Sequence, residues 1–206
     1  MSDLYASFPV GFFSRADESP DDAFYVPDRF VTHIDARAIA AVGALYCELG
    51  LTGSVLDIMS SWISHFPDRP AQLVAMGMNQ RELTRNEMAH KTVVQDLNVD
   101  PLLPFEDGHF DAVTCCVSID YLTRPIEVLL EAARVLKPSG LMVCTFSNRC
   151  FPTKAIRGWL SLSETDRCEL VARYLQLAGF TDITISLRTP PNTYGDPLYA
   201  VVGRVG

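Results

Sequence analysis

Stretches of helical periodicity alternate with short apolar runs along most of this 206-residue chain. Apolar residues recur at helical spacing over residues 34–49, 79–89, 125–136 and 164–178. Strand-like apolar runs lie at residues 55–58, 72–76, 92–95, 111–117 and 141–146. Strands that alternate with helices of about 10–15 residues are typical of a parallel, doubly wound sheet. The pattern therefore predicts an α/β fold with helices on both faces of the sheet.

The carboxyl-terminal part of the chain departs from this alternation. Its last two predicted strands, 181–187 and 197–202, are joined by a turn-rich loop and not by a helix. Such a connection predicts an antiparallel pair at one edge of the sheet. No internal repeat or linker divides the chain, so we expect a single domain over residues 1–206. Its lead segment, residues 1–33, is too aromatic for a solvated tail, and we expect it to pack over the domain, where it could cover the ligand site.

Composition and charge exclude several classes of partner. The formal net charge of −8 argues against nucleic acid, because phosphate binding requires a basic surface. No apolar run reaches the roughly 18 residues that span a membrane, and the first residues lack the pattern of a signal peptide. Six cysteines without a CxxC pair indicate reduced thiols and no zinc site. We therefore expect a cytoplasmic protein without bound metal, either a monomer or a homodimer.

The candidate ligand site begins in the sequence VLDIMSSWISHFP, residues 55–67. A buried strand ends there at Asp57 and leads into a loop with Ser60, Ser61 and Trp62. Ligands of open α/β sheets bind outside the carboxyl ends of the strands, so this loop is expected to face a ligand. In the alternative interpretation, Asp57 caps the loop or a following helix, and Trp62 belongs to the core.

Four segments in this order resemble the class I S-adenosylmethionine-dependent methyltransferases of the type 11 kind. They are VLD at the end of the first strand, LPFEDGHFDAV (103–113), EAARVLKPSGLMVCTFSN (131–148) and LAGF (177–180). The resemblance implies a Rossmann-like, seven-stranded, mostly parallel sheet with an antiparallel edge pair. It also implies S-adenosylmethionine as the cofactor and a small-molecule methyl acceptor.

The first loop departs from the family pattern DxGxGxG, because its glycine positions hold Met59, Ser61 and Ile63. The position of the acid that binds the cofactor ribose falls on Gly77, and Asn79 is the candidate to replace that acid. Asp96 and Leu97 follow the third strand, where the family binds adenine. The residues that the resemblance implies for cofactor binding are Asp57, Ser60, Ser61, Trp62, Gly77, Met78, Asn79, Asp96, Leu97 and Ser118.

Two further groups of residues are candidates for contact with the acceptor. Asp120 and Tyr121 follow the fourth strand, and together with His33 they are the catalytic candidates; the alternative for Asp120 is capping of the next helix. The acceptor-binding candidates are Asn148, Arg149 and Tyr25. An arginine side chain can bind a carboxylate or carbonyl acceptor through two parallel hydrogen bonds.

A second function remains open at this stage. The missing glycines are also compatible with a non-catalytic protein of the methyltransferase fold that binds a partner or a nucleotide. A nicotinamide-dependent oxidoreductase is disfavoured because the glycines and the acid of a dinucleotide site are also absent.

Overall fold

A computed structural model of the protein describes residues 4–190 and 194–206. The strands are β1 (Ser54–Ile58), β2 (Gln72–Gly77), β3 (Lys91–Val94), β4 (Phe110–Cys116), β5 (Leu136–Phe146), β6 (Thr181–Thr189) and β7 (Leu198–Arg204). They form one seven-stranded sheet in the order β3-β2-β1-β4-β5-β7-β6. The strands from β3 to β5 in this order pair in parallel, whereas β7 is antiparallel to both β5 and β6. The predicted fold class, including the antiparallel edge pair, is confirmed.

Helices and irregular segments cover both faces of the sheet. The helices are α1 (Asp21–Tyr25), α2 (Ala36–Glu48), α3 (Gln80–Thr84), α4 (Pro125–Val135), α5 (Arg157–Ser161) and α6 (Glu164–Leu177), with one 3-10 turn at Ile119–Tyr121. Side-chain oxygens of Asp35 and Ser163 accept from the first turns of α2 and α6, and these caps fix where the two helices begin. None of the helices in the described residues is long and apolar enough to cross a membrane.

Two predicted boundaries are wrong. The stretch 79–89 is helical only over α3, and Asn86, in the turn that follows, donates from its buried side chain to Ser61 O (3.0 Å) and Ser64 Oγ (2.8 Å). Strand β5 begins at Leu136, directly after α4, and not at residue 141. It starts early because Leu136 pairs with Phe110 of β4.

The connection between β1 and β2 contains no helix. Residues 59–71 run back to β2 as an irregular segment, although parallel neighbours are usually joined by a helical crossover. Ser60 N donates to Met76 O (2.7 Å), so the chain turns beside the end of β2 as soon as it leaves β1. Consequently Asp57 cannot cap a following helix. An open groove of about 1830 Å³ lies between α2 and residues 62–67 and 85–88.

The lead segment is integrated into the domain. The aromatic rings of Phe8 and Phe13 pack on Tyr174 of α6. Main-chain amides of residues 157 and 158 donate to Ser14 O and Phe12 O, each at 2.8 Å. The segment then continues through α1 to the carboxyl edge of the parallel strands.

Candidate functional site

A cleft of about 860 Å³, partly open to solvent, lies at the carboxyl ends of β1, β2, β3 and β4. We call it the main cleft. The strand order reverses beside β1, because the chain continues from β1 to β2 and β3 on one side and then returns to β4 on the other. Open α/β sheets bind ligands at such a switch point. Its walls are formed by the lead segment and by the loops that follow these four strands. The lining residues are Asp21, Tyr25, Arg29, His33, Met59, Ser60, Ser61, Gly77, Met78, Asn79, Glu82, Gln95, Asp96, Leu97, Asn98, Val117, Ser118, Tyr121, Leu122 and Phe151.

Most of the predicted site residues lie together in this cleft. The predicted cofactor residues that line it are Ser60, Ser61, Gly77, Met78, Asn79, Asp96, Leu97 and Ser118. Three candidates for catalysis or acceptor binding, Tyr121, His33 and Tyr25, line the same cleft. The predicted residues in the cleft come from five separate segments of the chain. Four of these segments meet there because parallel strands present their carboxyl ends at a common edge.

Asp57 lies beneath the first loop and does not line the main cleft. Its carboxylate accepts from Ser60 Oγ (2.7 Å), Ser64 Oγ (2.6 Å) and Thr114 Oγ1 (2.6 Å). Burial raises the pKa of this carboxyl group, although the three hydroxyl donors oppose the change. In this structure Asp57 holds the first loop against β4. Any effect of Asp57 on a ligand would therefore be indirect, through the position of that loop.

Two residues of the main cleft have left-handed backbone conformations without being glycine. Met59, at the first glycine position of the family pattern, has φ 53°, and Val117 at the end of β4 has φ 47°. Such angles are uncommon for residues with side chains, and for a β-branched valine they are a clear outlier. Strained residues of this kind cluster at functional sites, where the surrounding structure enforces them.

Gly77 cannot be replaced by a larger residue without moving the main chain. A Cβ atom at this position would lie 2.1 Å from Ser60 O. The close approach of the first loop to β2 therefore requires glycine. An acid at this position, where the family binds ribose, is sterically excluded.

Both polar atoms of the Asn79 side chain form hydrogen bonds within the protein. Its Oδ1 accepts from the backbone amides of Arg81 (2.9 Å) and Glu82 (3.2 Å), which caps α3. Its Nδ2 donates to Tyr25 O (3.0 Å) and Asp28 Oδ1 (3.1 Å) in the lead segment. A ribose contact would compete with these bonds, so the predicted role of Asn79 in ribose binding stays a prediction.

Asp120 is buried and is not among the residues that line the main cleft. It is 3% exposed, and its Oδ2 has no hydrogen-bond partner among the described residues. Burial raises the pKa of this carboxyl group to about 7. Helix α4 begins after Arg124 without a side-chain cap, so Asp120 does not cap it. The next residue, Tyr121, lines the cleft, and its hydroxyl oxygen accepts from Phe151 N (2.8 Å).

Besides Asp57 and Asp120, three predicted site residues lie outside the main cleft. Trp62 Nε1 donates to Val31 O (3.1 Å), and the indole ring borders the groove beside α2. Asn148 and Arg149 are exposed, and Arg149 Nε lies 3.9 Å from a carboxylate oxygen of Asp196. The polar exit of β5 therefore faces solvent and the loop before β7 and not the cleft.

Sequence analysis missed three charged residues of the cleft, Asp21, Arg29 and Glu82. The Arg29 guanidinium lies over the rings of Phe24 (4.5 Å), Phe151 (5.6 Å) and Tyr25 (5.7 Å). Glu82 is 7% exposed and accepts from Ser61 Oγ (2.5 Å) and Arg29 N (2.6 Å). Glu82 is an acid in the first turn of α3, and its place in the cleft depends on the folded chain.

His33 is the remaining catalytic candidate in the cleft. Its ring meets Phe151 edge to face at 5.4 Å, and, although the residue is exposed, desolvation by the surrounding protein lowers the pKa of the imidazole. The neutral imidazole favoured at physiological pH can accept or donate one hydrogen bond. Among the described residues, no group of three or more metal-binding side chains forms a metal site.

Comparison with known proteins extends this picture. A family profile described as a methyltransferase domain matches residues 52–144. The UbiE ubiquinone/menaquinone biosynthesis C-methyltransferase of Bartonella quintana (strain Toulouse) is 35% identical over 96 residues, which are 46% of this chain and 32% of that protein. The ubiquinone biosynthesis O-methyltransferase of Dechloromonas aromatica (strain RCB) is 25% identical over 118 residues, 55% of this chain and 48% of that protein. The chain thus spans less than half the length of each of these relatives.

Solved structures share the fold at low sequence identity. An S-adenosylmethionine-dependent methyltransferase of Thermotoga maritima, described as a possible histamine N-methyltransferase, matches with a TM-score of 0.61 at 16% identity. The match covers 82% of this chain and 91% of that one. The [4+2]-cyclase SpnF matches with a TM-score of 0.62 at 17% identity, over 80% of this chain and 81% of that one. At such identities the likeness concerns the fold alone.

Proposed function

Because the chain belongs to the class I S-adenosylmethionine-dependent methyltransferase family, we propose that it transfers a methyl group from S-adenosylmethionine to a small-molecule acceptor in the cytoplasm. The observation that carries the proposal is the main cleft, where loops after four parallel strands converge. The described cysteines are all free thiols, which supports a reducing compartment.

The residues of the main cleft fit this cofactor. Asp96 and Leu97 follow β3, where the carboxylate can accept from an adenine amino group and the leucine can cover a ring face. Ser60, Ser61 and Ser118 supply hydroxyl groups near the exits of β1 and β4. Their protons are already donated to Asp57, Glu82 and Cys116 O, so each hydroxyl can offer a ligand its acceptor lone pairs. The cofactor supplies an activated methyl group on a sulfonium that also serves as the leaving group.

The chain itself has to position the acceptor and exclude water. The rings of Tyr25, Phe151 and His33 line the side of the cleft that the lead segment covers. This enclosure would remove water from the acceptor and align its nucleophilic atom. We assign Tyr121 to orienting the acceptor, because its hydroxyl oxygen is fixed by Phe151 N and its own proton remains available.

Asp120, the residue before Tyr121 of the cleft wall, is our candidate for a general base, although its carboxylate is buried and does not line the cleft. A pKa of about 7 leaves a useful fraction of its carboxylate deprotonated at neutral pH. Such a base is needed only if the acceptor carries a proton on its nucleophilic atom. With Asp120 in this role, activity should rise as the pH rises through about 7.

The acceptor is proposed to be a planar, ring-containing molecule. The aromatic lining of the cleft can stack on such a ring. The two curated relatives are named as methyltransferases of ubiquinone and menaquinone biosynthesis, which agrees with a ring-shaped acceptor. A quinol is therefore the first acceptor class to test.

The alternative is a non-catalytic domain that binds a partner or a nucleotide. Two departures from the family's cofactor site favour this alternative: the first loop lacks its glycines, and Gly77 has no room for the side chain of an acid. Calorimetric titration with S-adenosylmethionine and S-adenosylhomocysteine separates the two functions. Micromolar binding, followed by methyl transfer to a quinol or phenol in an acceptor panel, supports the enzyme. A folded protein that binds neither ligand contradicts it.

The same titration can be directed at the cleft with a matched pair of variants. Asp96→Asn lies in the cleft and should weaken cofactor binding about tenfold, as expected when a hydrogen bond to a charged group is lost. Asp100→Asn, four residues later and outside the cleft, should bind like the wild type. Equal affinities for all three proteins would show that the ligand binds elsewhere.

A further inference from the structure

We propose that Glu82 is the carboxylate that binds the ribose hydroxyls of the cofactor, and that the lead segment holds it in place. The inference rests on the proposed cofactor site. It moves the ribose acid from the end of β2, where the resemblance implies it, to helix α3. Three features of the described residues lead to this assignment.

The first feature is the exclusion of an acid at the end of β2. Gly77 is packed so closely against Ser60 that no Cβ atom fits. The hydrogen bond from Ser60 N to Met76 O fixes this arrangement in the main chain. The usual position is thus closed by backbone, and a carboxylate must come from another element.

The second feature is the position of Glu82 relative to Gly77. Glu82 lies in the first turn of α3, and the neighbouring Leu83 Cδ2 is 3.4 Å from the Cβ position of Gly77. Glu82 lines the main cleft together with two other acids, Asp21 and Asp96. Asp21 is already bound by Arg15 and Lys154, and Asp96 follows β3 at the proposed adenine end. Glu82 is therefore the carboxylate left for the ribose.

The third feature is the state of the Glu82 carboxylate. Each of its oxygens accepts one hydrogen bond, from Ser61 Oγ and from Arg29 N. A carboxylate oxygen can accept a second bond, so both oxygens keep capacity for ligand hydroxyls. Among the described residues Glu82 forms no ion pair, although it is only 7% exposed. Burying a carboxylate without a cation is costly, and the two hydroxyls of a ribose would supply further donors.

The supporting bonds couple the lead segment to the cofactor site. Arg29 N approaches Glu82 because Asp28 is held by Arg81 (2.9 Å) and by Asn79 Nδ2 (3.1 Å). Displacement of residues 28–29 would therefore loosen the carboxylate that contacts the ribose. Asn79 thus acts as a positioning residue for Glu82 and does not itself need to contact the ligand.

A thermodynamic cycle tests the assignment by binding alone. S-adenosylhomocysteine and its 2′-deoxy analogue are titrated calorimetrically into the wild type, Glu82→Gln and Glu87→Gln. Loss of the 2′-hydroxyl should weaken binding to the wild type about tenfold and to Glu82→Gln less than threefold. Glu87→Gln is the matched control, because Glu87 is exposed and lies outside the main cleft, and it should keep the full penalty.

The outcomes separate this inference from the proposed function. If the wild type binds neither compound, both the proposed function and this inference are wrong. If it binds them and Glu82→Gln shows the same 2′-deoxy penalty as the wild type, only the role of Glu82 is wrong. If Glu82→Gln does not fold, Glu82→Asp replaces it, since it keeps the charge but shortens the side chain. Glu82→Asp should also reduce the penalty to less than threefold, and a full penalty would refute the assignment.

Discussion

At the residue scale, Asp120 is the buried carboxyl group with the clearest effect on stability. Burial raises its pKa from 3.8 to about 7, and no partner compensates its Oδ2 among the described residues. A group whose pKa is raised by folding stabilises the protein fully below its unfolded pKa, near 4. That contribution is lost as the pH rises through the folded pKa, near 7.

Asp120→Asn should therefore remove one pH-dependent component of stability. Urea unfolding of the wild type and the variant is measured from pH 4 to pH 8, and the difference between them is followed. The wild type should lose on the order of 4 kcal/mol relative to the variant over this range. A difference that does not change with pH would contradict the raised pKa. The pH profile of methyl transfer gives the independent test of Asp120 as a base.

Two glycines give opposite predictions for the same substitution. Gly77→Ala places a Cβ atom 2.1 Å from a backbone oxygen, so it should destabilise the protein by about 3 kcal/mol. Gly43→Ala lies in the interior of α2, where the nearest atom, His65 O, would be 3.4 Å away. Alanine there gains up to about 1 kcal/mol of helix propensity. Urea unfolding of both variants checks the contrast, and a tolerated Gly77→Ala would show that the first loop can retreat from β2.

At the scale of elements, most of the fold could be predicted because its signals are local. The inner strands β1, β2, β4, β5 and β7 are largely buried apolar runs, whereas the edge strands β3 and β6 are largely exposed. All strands except β5 lie within one or two residues of their predicted positions. Helices α1 and α5 have only five residues each, too few to show a helical period. The segment after β1 has no period of its own, so its return to β2 without a helix follows from contacts with β2 and α2.

The candidate site could be predicted in outline for the same reason. The exits of the parallel strands are visible in sequence, and most of the residues predicted there line the main cleft. Capping of the first loop is the alternative that the sequence offers for Asp57, but its bond to Thr114 and the place of Glu82 could not be predicted, because both depend on partners distant in sequence. Asp57 bonds Thr114 57 residues away, and Glu82 bonds the Arg29 amide 53 residues away.

The irregular connection between β1 and β2 should depend on Asp57 for its order. Asp57→Ala would leave the hydroxyls of Ser64 and Thr114 buried without their acceptor. The expected loss is about 3–5 kcal/mol of unfolding free energy, since several bonds to a charged group disappear together. Ser64→Ala removes only one of these bonds and should cost about 1–2 kcal/mol.

Limited proteolysis gives a second measure of the same effect. Cleavage between residues 59 and 71 should become faster in Asp57→Ala while the rest of the chain stays protected. Uniform loss of protection along the whole chain would show that Asp57 supports the sheet and not this segment in particular.

At the scale of the whole molecule, one buried ionic cluster joins the lead segment to two parts of the domain. Asp21 accepts from Arg15 (2.7 Å) and from Asn98 in the loop after β3 (2.9 Å), and Lys154 in the loop after β5 lies 3.2 Å away. Although burial opposes it, hydrogen bonds from Arg15 and Asn98 hold the pKa of Asp21 below its usual range. The cluster therefore stabilises the protein above a pH of about 4 and loses this effect as the pH falls.

Asp21→Asn removes the anion that Arg15 and Lys154 share while keeping the size of the side chain. Both cations are buried, at 7% and 1% exposure, and would keep only Asp17 (3.1 Å from Lys154) and Glu18 (4.0 Å from Arg15), so the loss of Asp21 should cost about 3 kcal/mol at pH 7. Asp22→Asn is the matched control, since it makes the same change on an exposed neighbour in α1 and should cost less than about 0.5 kcal/mol.

Urea unfolding at pH 7 and pH 3 measures both variants. The gap between Asp21→Asn and the wild type should narrow at pH 3, where Asp21 of the wild type also begins to be protonated. Equal small effects of both variants at pH 7 would show that the lead segment is held by its aromatic packing and not by this cluster.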